Sequence, residues 1–128
     1  MDKNTIYANQ SSPKEMIQLL KRFRNNELLS KKSTDLLLQK LVETSTGPNR
    51  LKGLLPNGTT VGHKTGTSGT NDKGITAAYN DVGIIELPNG KSFAIVVFIS
   101  DTKENDETNA KTIAEISKAA YKYFSTRN

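Results

Sequence analysis

A lysine, two threonines and a glycine follow one another in Lys64-Thr65-Gly66-Thr67, and these residue types suit the binding of an anion. Lys64 supplies a permanent cation, and the threonines supply hydroxyl donors. Alternation along a strand sends Lys64 and Thr65 to opposite faces, so both reach one ligand only if it lies along the strand's free edge. Gly66 removes a side chain at this edge, as is common where a ligand or another backbone comes close. The stretch therefore predicts an anion site at which backbone N–H groups also meet a developing oxyanion.

The alternative interpretation is an exposed polar edge strand in which Lys64 merely discourages aggregation. The longer sequence favours the binding site. The residues that favour the binding-site interpretation are Gly47-Pro48-Asn49-Arg50-Leu51-Lys52-Gly53-Leu54-Leu55-Pro56-Asn57-Gly58, followed by His63-Lys64-Thr65-Gly66-Thr67. This sequence resembles the C-terminal part of class A serine β-lactamases, in which Lys-Thr-Gly is a signature motif shared with penicillin-binding proteins. The resemblance covers nearly all of the chain.

The resemblance implies catalytic roles for Lys64 and Thr67 on a substrate-binding strand. Lys64 and Thr65 would bind the substrate carboxylate, the first by its charge and the second by its hydroxyl. The backbone N–H of Thr67 would form half of the oxyanion hole, and the hydroxyl of Thr67 would touch the carboxylate. The other half of that hole would be the N–H of a nucleophilic serine that lies outside this sequence.

Arg50 is the next candidate, because many members of the resembled family place an arginine beside the Lys-Thr-Gly strand from one of two sequence locations. The later location, around residues 75–76, has no arginine here, so the resemblance implies that Arg50 reinforces carboxylate binding. A guanidinium can hold a carboxylate through two hydrogen bonds. The alternative is an ordinary surface arginine. Gly66 and Ser68 complete the expected substrate-binding set, Ser68 by shaping the exit of the strand and the side of the pocket.

Only one of the four elements that serine β-lactamases need is present. The family uses a Ser-x-x-Lys nucleophile motif, a Ser-Asp-Asn motif, a water-activating glutamate and Lys-Thr-Gly. The formal match at residues 11–14, Ser-Ser-Pro-Lys, is explained by helix capping. No glutamate stands in a recognisable water-activating context. We therefore expect the complete enzyme to hydrolyse β-lactams through an acyl-enzyme, and this chain by itself to be inactive.

His63 precedes the motif, and the sequence offers it no partner for a catalytic triad or a metal site. It is therefore interpreted as a structural strand residue. Asn80 and Asp81 are expected to form hydrogen bonds within the sheet and are given no catalytic role. Neither a cofactor nor a metal site is predicted.

Size and composition fit one unit over residues 1–128, with 34% apolar residues and a net charge of +5. The lysines are scattered, without a basic block or interleaved aromatic residues, so nucleic-acid binding is not predicted. No apolar run reaches membrane-spanning length, and the polar start of the chain is not a signal peptide. The resemblance implies a periplasmic or secreted parent protein, with a β-lactam as substrate and the missing N-terminal portion of the same domain as partner.

Hydrophobic periodicity and turn signals predict an α+β fold, in which helices pack on the faces of a three-stranded antiparallel sheet. Residues 1–11 are polar and are expected to be extended or looped. Helices are predicted at about 13–24, 31–44 and 106–124, and strands at about 59–67, 75–87 and 91–100. The buried stripe of the last helix is predicted to consist of Ile113, Ile116, Ala120 and Phe124. The resemblance makes this an incomplete part of the β-lactamase/transpeptidase-like fold.

The unbroken apolar run over residues 93–99 predicts a strand that is buried on both faces, which is typical of a central strand. In a three-strand meander, however, this strand falls at one end, where its open edge can pair with another chain. The mismatch indicates that strands are missing from this sequence. We expect the isolated chain to self-associate through the exposed sheet edge.

Two other functions remain open. A penicillin-binding DD-peptidase or transpeptidase shares Lys-Thr-Gly and the acyl chemistry, and a water-activating glutamate ahead of residue 1 would favour the lactamase. A non-catalytic interaction module would instead begin at Met1 as a protein of its own. Extending the reading frame upstream separates these alternatives, because only the enzymes have Ser-x-x-Lys ahead of this chain.

Overall fold

The computed structural model describes residues 7–127, which contain three helices and three strands. In chain order these are α1 (Pro13–Arg24), α2 (Lys31–Val42), β1 (Val61–Thr67), β2 (Thr76–Glu86), β3 (Ser92–Thr102) and α3 (Asp106–Ser125). This is the α+β architecture that the sequence predicts. The expectation of an extended or looped start lies outside the described residues for positions 1–6, and residues 7–12 contain neither helix nor strand.

Each helix begins at a polar residue whose side chain accepts a hydrogen bond from a backbone N–H of the first turn. Ser12 accepts from the N–H of Glu15 at 3.1 Å, and Asn105 accepts from Thr108 at 2.8 Å. Such caps each stabilise a helix by about 1 kcal/mol. Ser12 is thereby accounted for as a helix cap. The second helix ends at Val42, two residues before the predicted end.

The three strands form one antiparallel sheet in the order β1-β2-β3. The turn between β2 and β3 is closed by a 2.8 Å hydrogen bond from the N–H of Leu87 to the carbonyl of Lys91. Gly90 in this turn has a φ of 80°, a conformation that side chains other than glycine rarely adopt. The sequence Pro88-Asn89-Gly90 therefore forms the turn that joins β2 to β3.

Helices cover both faces of the sheet. On one face, α2 packs on β1 and α1 packs on β3, and on the other face α3 packs on β2 and β3. The core lies on the α3 face and consists of Leu51, Val61, Tyr79, Ile85, Ile95, Val97, Ala110 and Ile113. On the opposite face, Gly62 lets α2 approach closely, because a Cβ at this position would lie 3.2 Å from a methyl group of Leu38.

The predicted stripe of α3 is wrong in part. Ile113 is fully buried, but Ile116 is 46% exposed and Phe124 is 40% exposed. The buried face of this helix is formed by Asn109, Ala110, Ile113, Ala114 and Ser117. Small side chains allow the helix to lie close to the sheet, so the largest apolar residues do not mark its buried face.

Within this chain β2 is central and β3 lies at one end, as the sequence predicts for a three-strand meander. Only Ile95 and Val97 of β3 are buried, and most of the strand is half-buried. Within residues 7–127, one edge of β3 pairs with no strand. That additional strands adjoin this edge in a larger protein stays a prediction.

None of the helices that the structure describes is long and apolar enough to cross a membrane.

Candidate functional site

The Lys-Thr-Gly stretch lies in β1, whose second edge is unpaired within the described residues. Lys64 is exposed on the sheet face that carries α2, and Thr65 and Thr67 lie on the α3 face. The amine of Lys64 donates a hydrogen bond to the carbonyl of Thr65. A Cβ built at Gly66 would meet no atom within 4 Å, so the space beside this residue is open. A ligand therefore has access to the strand from the sheet face on which Lys64 lies.

Backbone alternation also gives this edge a free donor. The N–H of Ser68 bonds inward to the carbonyl of Ala78 on β2, at 3.0 Å. Because successive N–H groups of an antiparallel strand point to opposite sides, the N–H of Thr67 points to the unpaired edge. This is the group for which the resemblance implies an oxyanion role.

Arg50 lies over β1 and β2 on the α3 face of the sheet and is only 8% exposed. Its guanidinium donates a 2.7 Å hydrogen bond to the hydroxyl of Thr67 and a 2.8 Å hydrogen bond to the carbonyl of Asn80. It also lies 3.7 Å from the centre of the Tyr79 ring. These contacts fix the guanidinium in one position, and they are unlike those of an ordinary surface arginine.

The two cations near this edge have no carboxylate partners among the described residues. The ion pairs there are Arg22–Glu27, Lys31–Asp35, Lys40–Glu43 and His63–Asp81, and none of them involves Lys64 or Arg50. Two cations that lack an acidic neighbour favour the binding of an anion between them.

Thr46 is a site residue that the sequence did not indicate. Its hydroxyl lies 3.0 Å from the hydroxyl of Thr65. Next to it, Gly47 has a φ of 56°, and a Cβ at this position would lie only 2.7 Å from the methyl group of Thr65. Nothing in the sequence connects Thr46 with a strand almost twenty residues later.

Ser68 uses its side chain to hold the end of β1. Its hydroxyl accepts a 3.0 Å hydrogen bond from the N–H of Ala78 and donates a 2.9 Å bond to the carbonyl of Gly69. These bonds fix the exit of the strand. A direct contact of Ser68 with substrate stays a prediction.

His63 has a partner, contrary to the sequence-based expectation. Its Nδ1 lies 2.9 and 2.8 Å from the two carboxylate oxygens of Asp81, and both side chains are fully buried. A carboxylate oxygen accepts, so Nδ1–H is the donor. Asp81 also accepts a 3.2 Å hydrogen bond from the N–H of Leu51. The side chain of Asn80 accepts from the N–H of Ile99 at 3.2 Å, so both predicted polar residues bond within the sheet region.

A cavity of about 480 Å³ adjoins Lys64 on the α1 and α2 face of the sheet, and residues of the segment before α1 close one side of it. Lys64, Gly66, Val82, Phe98 and Met16 are among its lining residues. This size lies in the range of small-molecule sites. Among residues 7–127, no cluster of three or more side chains suited to hold a metal ion was found.

The segment before α1 is fixed to the sheet by Tyr7. Its phenol donates a 2.8 Å hydrogen bond to the carboxylate of Asp101 at the end of β3. This hydrogen bond raises the pKa of Tyr7 above its ordinary value, and desolvation and the negative charge of Asp101 act in the same direction.

Known proteins share this fold. The chain is 51% identical over 125 residues to β-lactamase VEB-1 of Pseudomonas aeruginosa, an alignment that covers 96% of this chain and 42% of that protein. The crystal structure of TLA-3 extended-spectrum β-lactamase superposes with a TM-score of 0.95 at 57% identity, covering 98% of this chain and 46% of that one. A class A β-lactamase from Bacteroides cellulosilyticus superposes with a TM-score of 0.88 at 41% identity, covering 91% of this chain and 42% of that one.

The fold is that of the C-terminal part of class A β-lactamases. Residues 2–124 match the β-lactamase enzyme family, and the chain belongs to this family. The chain spans less than half of the length of the relatives it matches.

Proposed function

We propose that this chain is the C-terminal part of a serine β-lactamase and forms the carboxylate-binding wall of its active site. The observation that carries this proposal is the placement of two cations around the free edge of β1. Lys64 approaches from one sheet face and Arg50 from the other, and neither pairs with a carboxylate within residues 7–127. Such a pair of cations suits a substrate that lies along the edge and carries a carboxylate.

Within this site, Lys64 and Thr65 would bind the substrate carboxylate. Arg50 would reinforce the binding of this carboxylate from the side of Thr67. The N–H of Thr67 would bind the oxyanion of the tetrahedral intermediate, because it points to the free edge of the strand. Gly66 would leave room for the acyl group, since its edge is open. Ser68 would shape the side of the pocket.

The nucleophile and the water-activating group would come from the N-terminal portion of the same domain. The Ser-x-x-Lys match at residues 11–14 lies at the start of α1, where the hydroxyl of Ser12 caps the helix, and a second formal match at residues 100–103 lies at the end of β3. We therefore expect residues 1–128 to act as one unit that binds the missing portion but does not hydrolyse β-lactams alone. A β-lactam substrate, a periplasmic or secreted location and a resistance function follow from the family and belong to the same proposal.

A chimera tests the proposal. Residues 1–128 are joined to the part of VEB-1 that precedes its matched segment, and hydrolysis of a chromogenic cephalosporin is measured. We expect the chimera to be active and the 128-residue chain to be inactive. Lys64→Ala should lower kcat/KM by at least about a hundredfold, because it removes a charge that contacts the substrate.

Lys91→Ala is the matched control, since Lys91 is an exposed lysine in the β2–β3 turn, outside the site. If the two lysine variants had equal activity, the proposed site would be wrong. If the chimera formed an acyl-enzyme that it did not release, a penicillin-binding peptidase would be the better assignment. A folded chimera that never acylated would favour the non-catalytic interaction module.

A further inference from the structure

We propose that Asp81 and His63 are positioning residues that hold Arg50 in place relative to Lys64. This inference rests on the proposed function, in which Arg50 and Lys64 bind one substrate carboxylate. It assigns a role to a buried pair that the mechanism above does not use.

The connection runs through neighbouring residues. Asp81 accepts hydrogen bonds from the N–H of Leu51 at 3.2 Å and from Nδ1 of His63 at 2.8 and 2.9 Å. Leu51 directly follows Arg50, and His63 directly precedes Lys64. One carboxylate therefore joins the two backbone segments that carry the cations of the site.

The segment that carries Arg50 needs such a fixed point, because residues 47–55 form turns without a regular helix or strand. Their own backbone hydrogen bonds are local, from Arg50 to Gly47 and from Gly53 to Arg50. Local turns do not determine where the segment lies against the sheet. The bond from Leu51 to Asp81 does, since Asp81 belongs to the central strand.

The His63–Asp81 pair is enclosed by the protein on all sides and lies close to the backbone of β2. His63, Asp81 and Leu51 are all fully buried. Gly83 lies opposite His63 in the sheet register, and a Cβ at Gly83 would come within 2.9 Å of the His63 Cβ. A larger residue at position 83 would therefore crowd His63, so glycine here lets the backbone of β2 lie close to the pair.

The test is a double-mutant cycle in the chimera. Asp81→Ala is expected to raise KM for the cephalosporin about tenfold and to change kcat by less than about threefold, because it displaces a group that binds the substrate. In an Arg50→Ala background, the same change should raise KM by less than about twofold, since its target is already absent. Asp81→Asn keeps an oxygen acceptor for Leu51 and should have a smaller effect than Asp81→Ala.

Asn109→Ala is the matched control. Asn109 is also a buried polar residue, 3% exposed, with hydrogen bonds to Thr102 and to Glu104, and it contacts neither cation. It should lower the Tm without changing KM. A KM increase in this control equal to that of Asp81→Ala would overturn the inference, and so would multiplicative effects of the Asp81 and Arg50 changes.

A structural readout separates the two proposals. If Arg50→Ala left KM unchanged, the proposed function of Arg50 would fail, and the crystal structure of the Asp81→Ala variant would then decide the positioning role. Displacement of the guanidinium from the Thr67 hydroxyl would support that role, and an unchanged distance of 2.7 Å would overturn it. If Asp81→Ala did not fold, Asp81→Asn and His63→Gln would enter the same cycle with the same criteria.

Discussion

The guanidinium of Arg50 donates a 2.7 Å hydrogen bond to the hydroxyl of Thr67, which lies on the same strand as Lys64. Residues far apart in the chain thus form one continuous polar surface along the edge of β1. Five expectations follow from this surface and from the elements that hold it.

Arg50→Lys should raise KM about tenfold with little change in kcat in the chimera. A lysine keeps the charge but loses the planar fork that reaches Thr67 and the Asn80 carbonyl together. Steady-state kinetics with the chromogenic cephalosporin measure this. Arg127→Lys is the control, because Arg127 also stacks on an aromatic ring, 3.9 Å above Tyr123, but lies away from the site. Equal effects of the two changes would contradict the assignment of Arg50.

Thr46→Val should raise KM by about two- to fivefold, because it removes the hydroxyl that orients the hydroxyl of Thr65. The measurement is the same kinetic assay. Thr70→Val is a matched control, since Thr70 and Thr76 form a similar hydroxyl pair at 2.8 Å outside the site. Both variants should lose comparable stability, and only Thr46→Val should change KM. An unchanged KM in Thr46→Val would show that Thr65 does not need this partner.

Gly66→Ala and Gly83→Ala should differ in their effect on stability. A Cβ at Gly83 would lie 2.5 Å from the carbonyl oxygen of Gly62, so this change should destabilise the 128-residue chain by about 1–3 kcal/mol. A Cβ at Gly66 meets no atom within 4 Å, so Gly66→Ala should keep the stability within about 1 kcal/mol. Urea unfolding of the 128-residue chain measures both.

In the chimera, Gly66→Ala should nevertheless lower kcat/KM, because the methyl group occupies the edge at which the substrate is proposed to bind. Full activity of this variant would argue against that edge as the binding surface.

Tyr7 should titrate above pH 10. Folding raises the pKa of its phenol from the ordinary value of 10.0, chiefly through the hydrogen bond to Asp101. A group whose pKa is raised on folding stabilises the fold below its unfolded pKa, and this contribution is lost as the pH rises through the folded pKa. The contribution of Tyr7 should therefore disappear above pH 10.

NMR titration of ¹³C-labelled tyrosine rings measures this pKa directly. The Asp101→Asn variant removes the carboxylate, and Asn tolerates the positive φ of 49° at this position. The pKa of Tyr7 should return toward its ordinary value in this variant. An unchanged titration would mean that the bond between Tyr7 and Asp101 does not hold the segment before α1.

The 128-residue chain should dimerise through β3. The N–H groups of β2 at even positions point to β1, as the bond from Glu86 to Thr60 shows, so the odd positions pair with β3. Val96 lies opposite an even-numbered residue of β2, Val82, whose own N–H points to β1. The two residues therefore exchange no hydrogen bonds, and the N–H of Val96 points to the open edge of β3. Val96→Pro removes that donor without breaking the β2–β3 ladder, and it should shift the chain to monomer in analytical ultracentrifugation.

Val96→Thr keeps the N–H and should leave the dimer intact. A wild-type chain that is monomeric at high concentration would contradict the prediction of pairing at this edge.

Sequence patterns were sufficient for features that depend on neighbours along the chain. The cap at Ser12, the hairpin turn at Gly90 and the motif strand that contains Lys64 were all predictable, because backbone conformation and strand alternation are local properties. The missing nucleophile motif was likewise evident from the residues themselves.

The tertiary structure alone revealed which distant groups meet. The contacts from Thr46 to Thr65 and from Asp81 to His63 and Leu51 join segments that are far apart in the chain, and no local pattern marks them. The same holds for the half-buried state of β3 and for the exposed side of Ile116, since burial depends on what packs against an element. Local conformation follows from each residue and its neighbours, whereas hydrogen-bond partners and burial follow from how the strands and helices pack together.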